Sequence, residues 1–323
     1  MTTTDTAGPG LSDTAADSGP LRVRRLTGLT GAEILGIDLA AGLDDDQFHA
    51  VHDTLLRHRV VFFRGQHLSS GDQVALASRF GTLTSAHPTI PAIAELPPVL
   101  ELDSLRGGQA DQWHTDVTFV DTPPTYSFLR SIALPEVGGD TLWANTVAGY
   151  EALRPELRQF AEQLSAVHTN QYDYARVDLS GVGDQVDPSR LAYLKQFVST
   201  KYETEHPVVR IHPETNERAL LLGSFVQRLV GYPTGASLDI VRLLQASVTK
   251  PEHTVRWHWQ VGDLAIWDNR STQHYATFDY GRARRTMQRV TTTGSVPYGV
   301  DGKQSVALVG DSTAYNSRSV EAA

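Results

Sequence analysis

The stretch Trp113-His114-Thr115-Asp116-Val117-Thr118-Phe119 sets an imidazole and a carboxylate two residues apart, and a second histidine stands far downstream in Trp267-Asp268-Asn269-Arg270-Ser271-Thr272-Gln273-His274-Tyr275. Side chains alternate with period two along an extended strand, so a strand through His114 and Asp116 turns both to one side. Two imidazoles and a carboxylate on one face of octahedral Fe(II) leave three positions open, enough for a bidentate keto acid and dioxygen. His114, Asp116 and His274 are therefore candidate metal ligands and the candidate catalytic centre.

After His274 the chain reads Arg282-Ala283-Arg284-Arg285-Thr286-Met287-Gln288-Arg289 and continues into Val290-Thr291-Thr292-Thr293. A strand over Arg284 to Thr293 puts Arg285, Met287 and Arg289 on one face. Its two guanidinium forks suit planar anions such as carboxylate or sulfonate.

Working outward, Leu21–Leu26, Glu33–Leu39 and the apolar run Val60–Phe63 read as strands. Asp44–His58 has helical spacing, and Ser69 with Asp72 makes a capping box for a helix ending near Gly81. Helices are expected over Val147–Leu164 and Ala236–Val248. Val208–His212 and Ala219–Leu222 form a hairpin pattern, and Thr254–Gln260 and Asp263–Trp267 add further strands. The expected fold is mainly β with flanking helices, a double-stranded β-helix or jelly roll of the cupin type. Residues 1–20 read as a disordered tail, 21–300 as one domain, and 301–323 as a C-terminal tail. The weakly patterned insertion at about 170–205 is expected to be an active-site lid.

Together these blocks resemble the TauD/TfdA family of Fe(II)- and 2-oxoglutarate-dependent dioxygenases, and within it the alkyl sulfatase and sulfonate dioxygenase branch. The resemblance runs from about Leu21 to Pro297. Its most specific blocks are Val60-Val61-Phe62-Phe63-Arg64-Gly65-Gln66, Trp113 to Phe119, Gly138-Gly139-Asp140-Thr141-Leu142-Trp143, and Gly262 to Tyr275 followed by the arginine pair. It implies that His114, Asp116 and His274 bind Fe(II), that Thr141 and Arg285 hold the distal carboxylate of 2-oxoglutarate, and that Arg289 faces the anionic end of the substrate.

His87 matches a sulfonate-contacting histidine, while Phe119 and Phe225 match apolar wall positions. Ile90 and Ala110 stand where taurine dioxygenases carry tyrosine and asparagine, which argues against taurine. An alkyl sulfate or similar organic anion fits the remainder, supported by the similar stretch His168-Thr169-Asn170-Gln171-Tyr172-Asp173-Tyr174. The same chemistry on a bulkier terpenoid acid or lactone is the alternative. The family's reaction consumes O2 and yields succinate and CO2, and an aspartate at position 116 implies hydroxylation or desaturation rather than halogenation. A homodimer or homotetramer is what the resemblance suggests.

Two other classes of function use the same residues. The triad is also a ligand set for a zinc hydrolase, although a hydrolase has no need of a second anion pocket. The third reading is a binding module without catalysis.

The net charge of −9, with no basic cluster, argues against a nucleic-acid partner. The absence of cysteine excludes disulfides and thiolate metal sites. No apolar run reaches the ~20 residues that span a bilayer, and the start lacks a secretory pattern, so no membrane partner and a cytoplasmic location are expected. Among the other histidines, His206, His212, His253 and His258 are expected in structural roles. Trp257, Trp259 and Trp267 are expected to be packing residues.

Overall fold

The computed structural model describes residues 16–18, 21–93, 96–171 and 188–316. Its strands run in chain order β1 (Ala16–Ser18), β2 (Leu21–Arg25), β3 (Ala32–Leu35), β4 (Val60–Phe63), β5 (Leu100–Asp103) and β6 (Tyr126–Ala133). They continue with β7 (Thr141–Asn145), β8 (Ser165–Thr169), β9 (Glu203–Pro207), β10 (Val209–Ile211), β11 (Arg218–Leu220) and β12 (Val226–Leu229). The set closes with β13 (Thr254–Trp257), β14 (Leu264–Asp268), β15 (Thr272–Ala276), β16 (Thr286–Thr291) and β17 (Val306–Val309). The helices are α1 (Asp45–His58), α2 (Ser70–Ser78), α3 (Thr146–Glu151), α4 (Pro155–Ala161), α5 (Pro188–Phe197), α6 (Thr234–Val248) and α7 (Thr313–Asn316).

An eight-stranded sheet in the order β1-β2-β3-β4-β14-β6-β16-β5 faces a three-stranded sheet, β13-β7-β15. The run Val60-Val61-Phe62-Phe63 shows why the large sheet is buried on both sides. Val61 and Phe63 pack outward with Val51 and Leu55 of α1 and Leu76 of α2. Val60 and Phe62 point inward to Trp143 of β7 and to Val255 and Trp257 of β13. β14 repeats the alternation, with Leu264 and Ile266 outward and Ala265 and Trp267 inward. This two-layered core agrees with the expected jelly roll.

Local signals placed most elements. Asp44 and Gln47 cap α1 reciprocally, as Ser69 and Asp72 cap α2. The single helix expected over Val147–Leu164 is instead two, because Pro155 cannot donate into a continuing helix and becomes the first residue of α4. Beyond residue 300 the chain is not a bare tail: β17 pairs with β9, and Tyr315 is buried with its carbonyl accepting from the Ser85 N–H. Ala16–Ser18, within the segment expected to be disordered, pairs with β2. In the stretch expected as a lid, residues 172–187 lie outside the described residues and α5 occupies its later part. Among the described residues no helix is long and apolar enough to cross a membrane.

The turn between β14 and β15 is held from below by a buried ionic cluster. Arg270 Nη2 lies 2.7 Å from Asp268 Oδ2, and His212 Nε2 lies 2.9 Å from the same oxygen. Burial alone would raise the Asp268 carboxyl, but Arg270 and His212 outweigh it and hold it below the carboxylate range. A depressed carboxyl contributes stability above its unfolded pKa of about 3.9 and loses it as the pH falls toward the folded value. Asp268→Ala should therefore cost about 3–5 kcal/mol at neutral pH by removing the buried carboxylate shared by Arg270 and His212, which leaves Arg270 with Glu214 and Tyr126 alone. Urea unfolding should show that deficit shrinking below about pH 4.

Candidate active site

His114 and His274 meet through their backbones. Each donates its N–H to the other's carbonyl, at 3.0 Å from His114 and 2.7 Å from His274. The rings lie side by side with centroids 4.1 Å apart. The extended segment expected through Asp116 does not form, since pairing stops at this one bridge and the chain turns at Asp116–Phe119. Val117 takes φ +54°, a conformation rare for a β-branched residue.

Tertiary contacts hold that turn. His206 Nε2 donates to the Thr118 carbonyl at 2.7 Å, His168 Nδ1 lies 2.9 Å from Thr118 Oγ1, and Thr204 donates to the Phe119 carbonyl at 2.9 Å. Asp116 thus reaches the histidines by a turn rather than by strand alternation. One donor atom from each of His114, Asp116 and His274 lies within 4.8 Å of the others.

Asp116 is 2 % exposed. Burial pushes its carboxyl up, yet Arg289, His274, His114 and a hydrogen bond from Ser127 together bring it down to about 2. The carboxylate is therefore ionised at neutral pH. Burial, then His114 and Arg289, push His274 well below the usual histidine range against the pull of Asp116, leaving a neutral imidazole. The Gln112 carbonyl accepts from His114 Nδ1 at 2.7 Å, which frees Nε2 as a lone-pair donor.

Buried atoms without partners also mark the site: His274 Nδ1 and Arg289 Nε and Nη2 have none among the described residues. Two imidazoles and one carboxylate fit a divalent ion of the Fe(II) type.

A cavity of about 80 Å³ joins the triad to the other predicted residues: Thr141, Arg285, Arg289, His87, Phe119 and Phe225 all line it. Arg285 is 7 % exposed. Its Nε donates to the Gly139 carbonyl at 2.9 Å and its Nη2 to Thr141 Oγ1 at 3.2 Å, where Trp259 Nε1 also donates at 3.0 Å. Gly139, at φ +75°, is needed for this approach, since a Cβ there would stand 3.0 Å from Arg285 Cδ.

Arg289 points inward as expected and its Nη1 pairs with the Asp116 carboxylate. His87 Nδ1 accepts backbone N–H groups from Thr89 at 3.1 Å and Ile90 at 3.2 Å. That ring is neutral, its pKa pushed down to about 3 by burial and then by Arg289, with Asp116 opposing. With Nδ1 accepting, the proton sits on Nε2.

Residues 22–291 match the family described as taurine catabolism dioxygenase TauD, TfdA family. The chain belongs to the TauD/TfdA family. Among its relatives in that family it is 53 % identical to an alkylsulfatase of Acinetobacter baylyi, over 87 % of this chain and 88 % of that one. It is 49 % identical to an alpha-ketoglutarate-dependent sulfate ester dioxygenase of Pseudomonas putida, over 90 % and 96 %. A crystal structure of a taurine dioxygenase from Burkholderia xenovorans superposes with a TM-score of 0.75 at 37 % identity, covering 90 % of this chain and 95 % of that one.

Against that TauD/TfdA frame, sequence reasoning overlooked several contributors. Asn269, given no role in the sequence analysis, donates to Ser127 Oγ at 2.8 Å, and Ser127 in turn donates to Asp116 Oδ2 at 2.6 Å. Trp267 Nε1 donates to Asn269 Oδ1 at 3.0 Å. Tyr193 and Phe197 of α5 also line the cavity. No spacing signal marks these residues; their proximity to the Trp267–His274 block is the only clue for Asn269. His206, His212, His253 and His258 all have hydrogen-bond partners outside the triad.

Titration with Mn(II) should give one tight site per chain by calorimetry, and His114→Ala and Asp116→Ala should each remove it. Retention of that site in both variants would place the metal elsewhere.

Proposed function

We propose that this TauD/TfdA enzyme is an Fe(II)- and 2-oxoglutarate-dependent dioxygenase that oxidises sulfate esters of aliphatic alcohols at the carbon bearing the ester oxygen. The observation that carries the reading is the presence of two buried arginines with separate partners in one cavity with the triad, Arg285 at Thr141 and Arg289 at Asp116. Two cationic subsites suit two anionic reactants, a keto acid and an anionic ester. A zinc hydrolase would have no use for the second.

In this reading His114, Asp116 and His274 hold iron, which when bound supplies the coupling of O2 reduction and 2-oxoglutarate decarboxylation, to succinate and CO2, with oxidation of a substrate C–H bond. Arg285 and Thr141 orient the keto acid by its far carboxylate. Arg289 and the neutral His87 Nε2–H receive the sulfate oxygens, and Phe119 and Phe225 exclude water from the carbon chain.

An aspartate at position 116 favours hydroxylation or desaturation over halogenation, and of these hydroxylation at the ester carbon accounts for sulfate release. A hydroxyl on the ester carbon then collapses: its proton leaves, the C–O bond to sulfate breaks, and an aldehyde and sulfate are released. The P. putida and A. baylyi relatives, named for sulfate esters and alkyl sulfates, support this substrate class. Taurine is disfavoured because Ala110, with no polar side chain, lines the cavity and Ile90 replaces a hydroxyl donor.

Hexyl sulfate should yield sulfate and succinate in equal amounts in air. Arg285→Ala should weaken 2-oxoglutarate binding by about 1.5–3 kcal/mol, the worth of a charge-assisted contact. That loss is measurable anaerobically by calorimetry. Unchanged keto-acid affinity would move the role to another residue.

A further inference from the structure

The catalytic cavity is not the only space the site opens onto. An outer groove of about 530 Å³ adjoins it, and Tyr193 and Gly108 line both. The inner cavity, at about 80 Å³, is well below the usual range of small-molecule sites, roughly 300–1,000 Å³, and the groove is within it. The inner space must also take the keto acid beside Arg285. It therefore has room for the reacting end of an ester and little more.

α5 is fixed across the boundary at both ends. Arg190 Nη1 donates to the Gly107 carbonyl at 2.7 Å, Gln196 Nε2 donates to the Thr89 carbonyl at 2.6 Å, and Thr89 Oγ1 donates to the Phe197 carbonyl at 2.9 Å. Gly107, at φ +84°, permits the first contact, since a Cβ there would lie 2.6 Å from Arg190 Cα. Tyr193 and Phe197 are four residues apart and so share one helix face. Phe197 completes the inner wall with Phe119 and Phe225, while Tyr193 stands between the two spaces.

We infer that Tyr193 is the partition within a two-chamber substrate site, with the reacting end of the ester beside the triad and the rest of its carbon chain passing Tyr193 into the outer groove. This rests on the sulfate-ester reading above. The groove offers Ile90, Pro91, Ala92 and Ile93 to a chain, and its charged side is internally paired, Arg106 with Glu101 and Asp103 with Arg284. Each methylene buried there should raise affinity about fourfold.

The test compares linear alkyl sulfates from butyl to decyl with 2-ethylhexyl sulfate, in the wild type, Ala92→Trp, Ala192→Trp and Tyr193→Ala. Sulfate release in air and anaerobic calorimetric binding to the Fe(II)–2-oxoglutarate enzyme are both recorded. In the wild type, affinity should keep rising beyond hexyl. Either tryptophan, by filling the groove, should lower the decyl-to-butyl ratio of kcat/KM at least tenfold. Tyr193→Ala should raise use of the branched ester relative to hexyl at least fivefold. Wild-type length and branching profiles in all folded variants would overturn the partition. If the wild type binds the series but releases no sulfate in air, the proposed reaction fails and the binding profile alone decides the groove. Failure to bind any ester sinks both.

Discussion

The reciprocal backbone bonds between His114 and His274 are the constraint on which the site depends. They join two segments far apart in sequence at one point, and the metal-binding geometry follows from where that pairing stops. Had the bridge extended into a ladder, Asp116 would have remained in the small sheet. Because the chain turns there, the carboxylate is delivered between the sheets, against Ser127 of β6 and Arg289 of β16. An isolated carboxylate in that position would protonate rather than remain charged. Arg289, the two imidazoles and Ser127 reverse that preference, so the ligand is ready in the form a cation needs.

Legibility in the sequence follows from how local each cause is. Val60–Phe63 reveals itself as a doubly buried strand because four apolar residues leave no polar face, and the capping residues Asp44 and Ser69 announce their helices from within one turn. The triad and the arginine pair are legible because metal and anion chemistry admit few residue types. The strand expected through His114 and Asp116 fails for a non-local reason: Val117 is held at positive φ by contacts that Thr118 and Phe119 make with His206, His168 and Thr204. The same holds for Asn269, whose side chain matters only because Ser127 lies opposite. The break at Pro155, by contrast, was written in the sequence and overridden by the apolar spacing around it.

Thr89 ties the substrate side of the site to α5. Its backbone N–H fixes the His87 tautomer, its hydroxyl holds the end of α5 through the Phe197 carbonyl, and its own carbonyl accepts from Gln196. A displacement of α5 therefore acts on three bonds centred on one residue, and one of them sets which nitrogen of His87 carries the proton. Seating of α5 and the position of the His87 Nε2–H, the proposed donor to the ester, are coupled by covalent proximity rather than through a long network.

That coupling gives a physical reason for the proposed division of labour between the arginines. Arg285 is held by the Gly139 carbonyl and Thr141, which belong to the turn and strand of the small sheet, so the proposed keto-acid subsite is built on the sheet scaffold. The proposed ester subsite draws on the scaffold for Arg289 and on the 87–90 turn and α5 for His87, Tyr193 and Phe197. In the proposed reaction a cosubstrate common to every turnover would be met by groups on the sheets, and the variable reactant by a helix fastened through side chains at its ends. The two halves meet at Arg289, which belongs to the sheet scaffold yet pairs with Asp116 of the triad, so the proposed ester side remains tied to the metal site through that one ion pair.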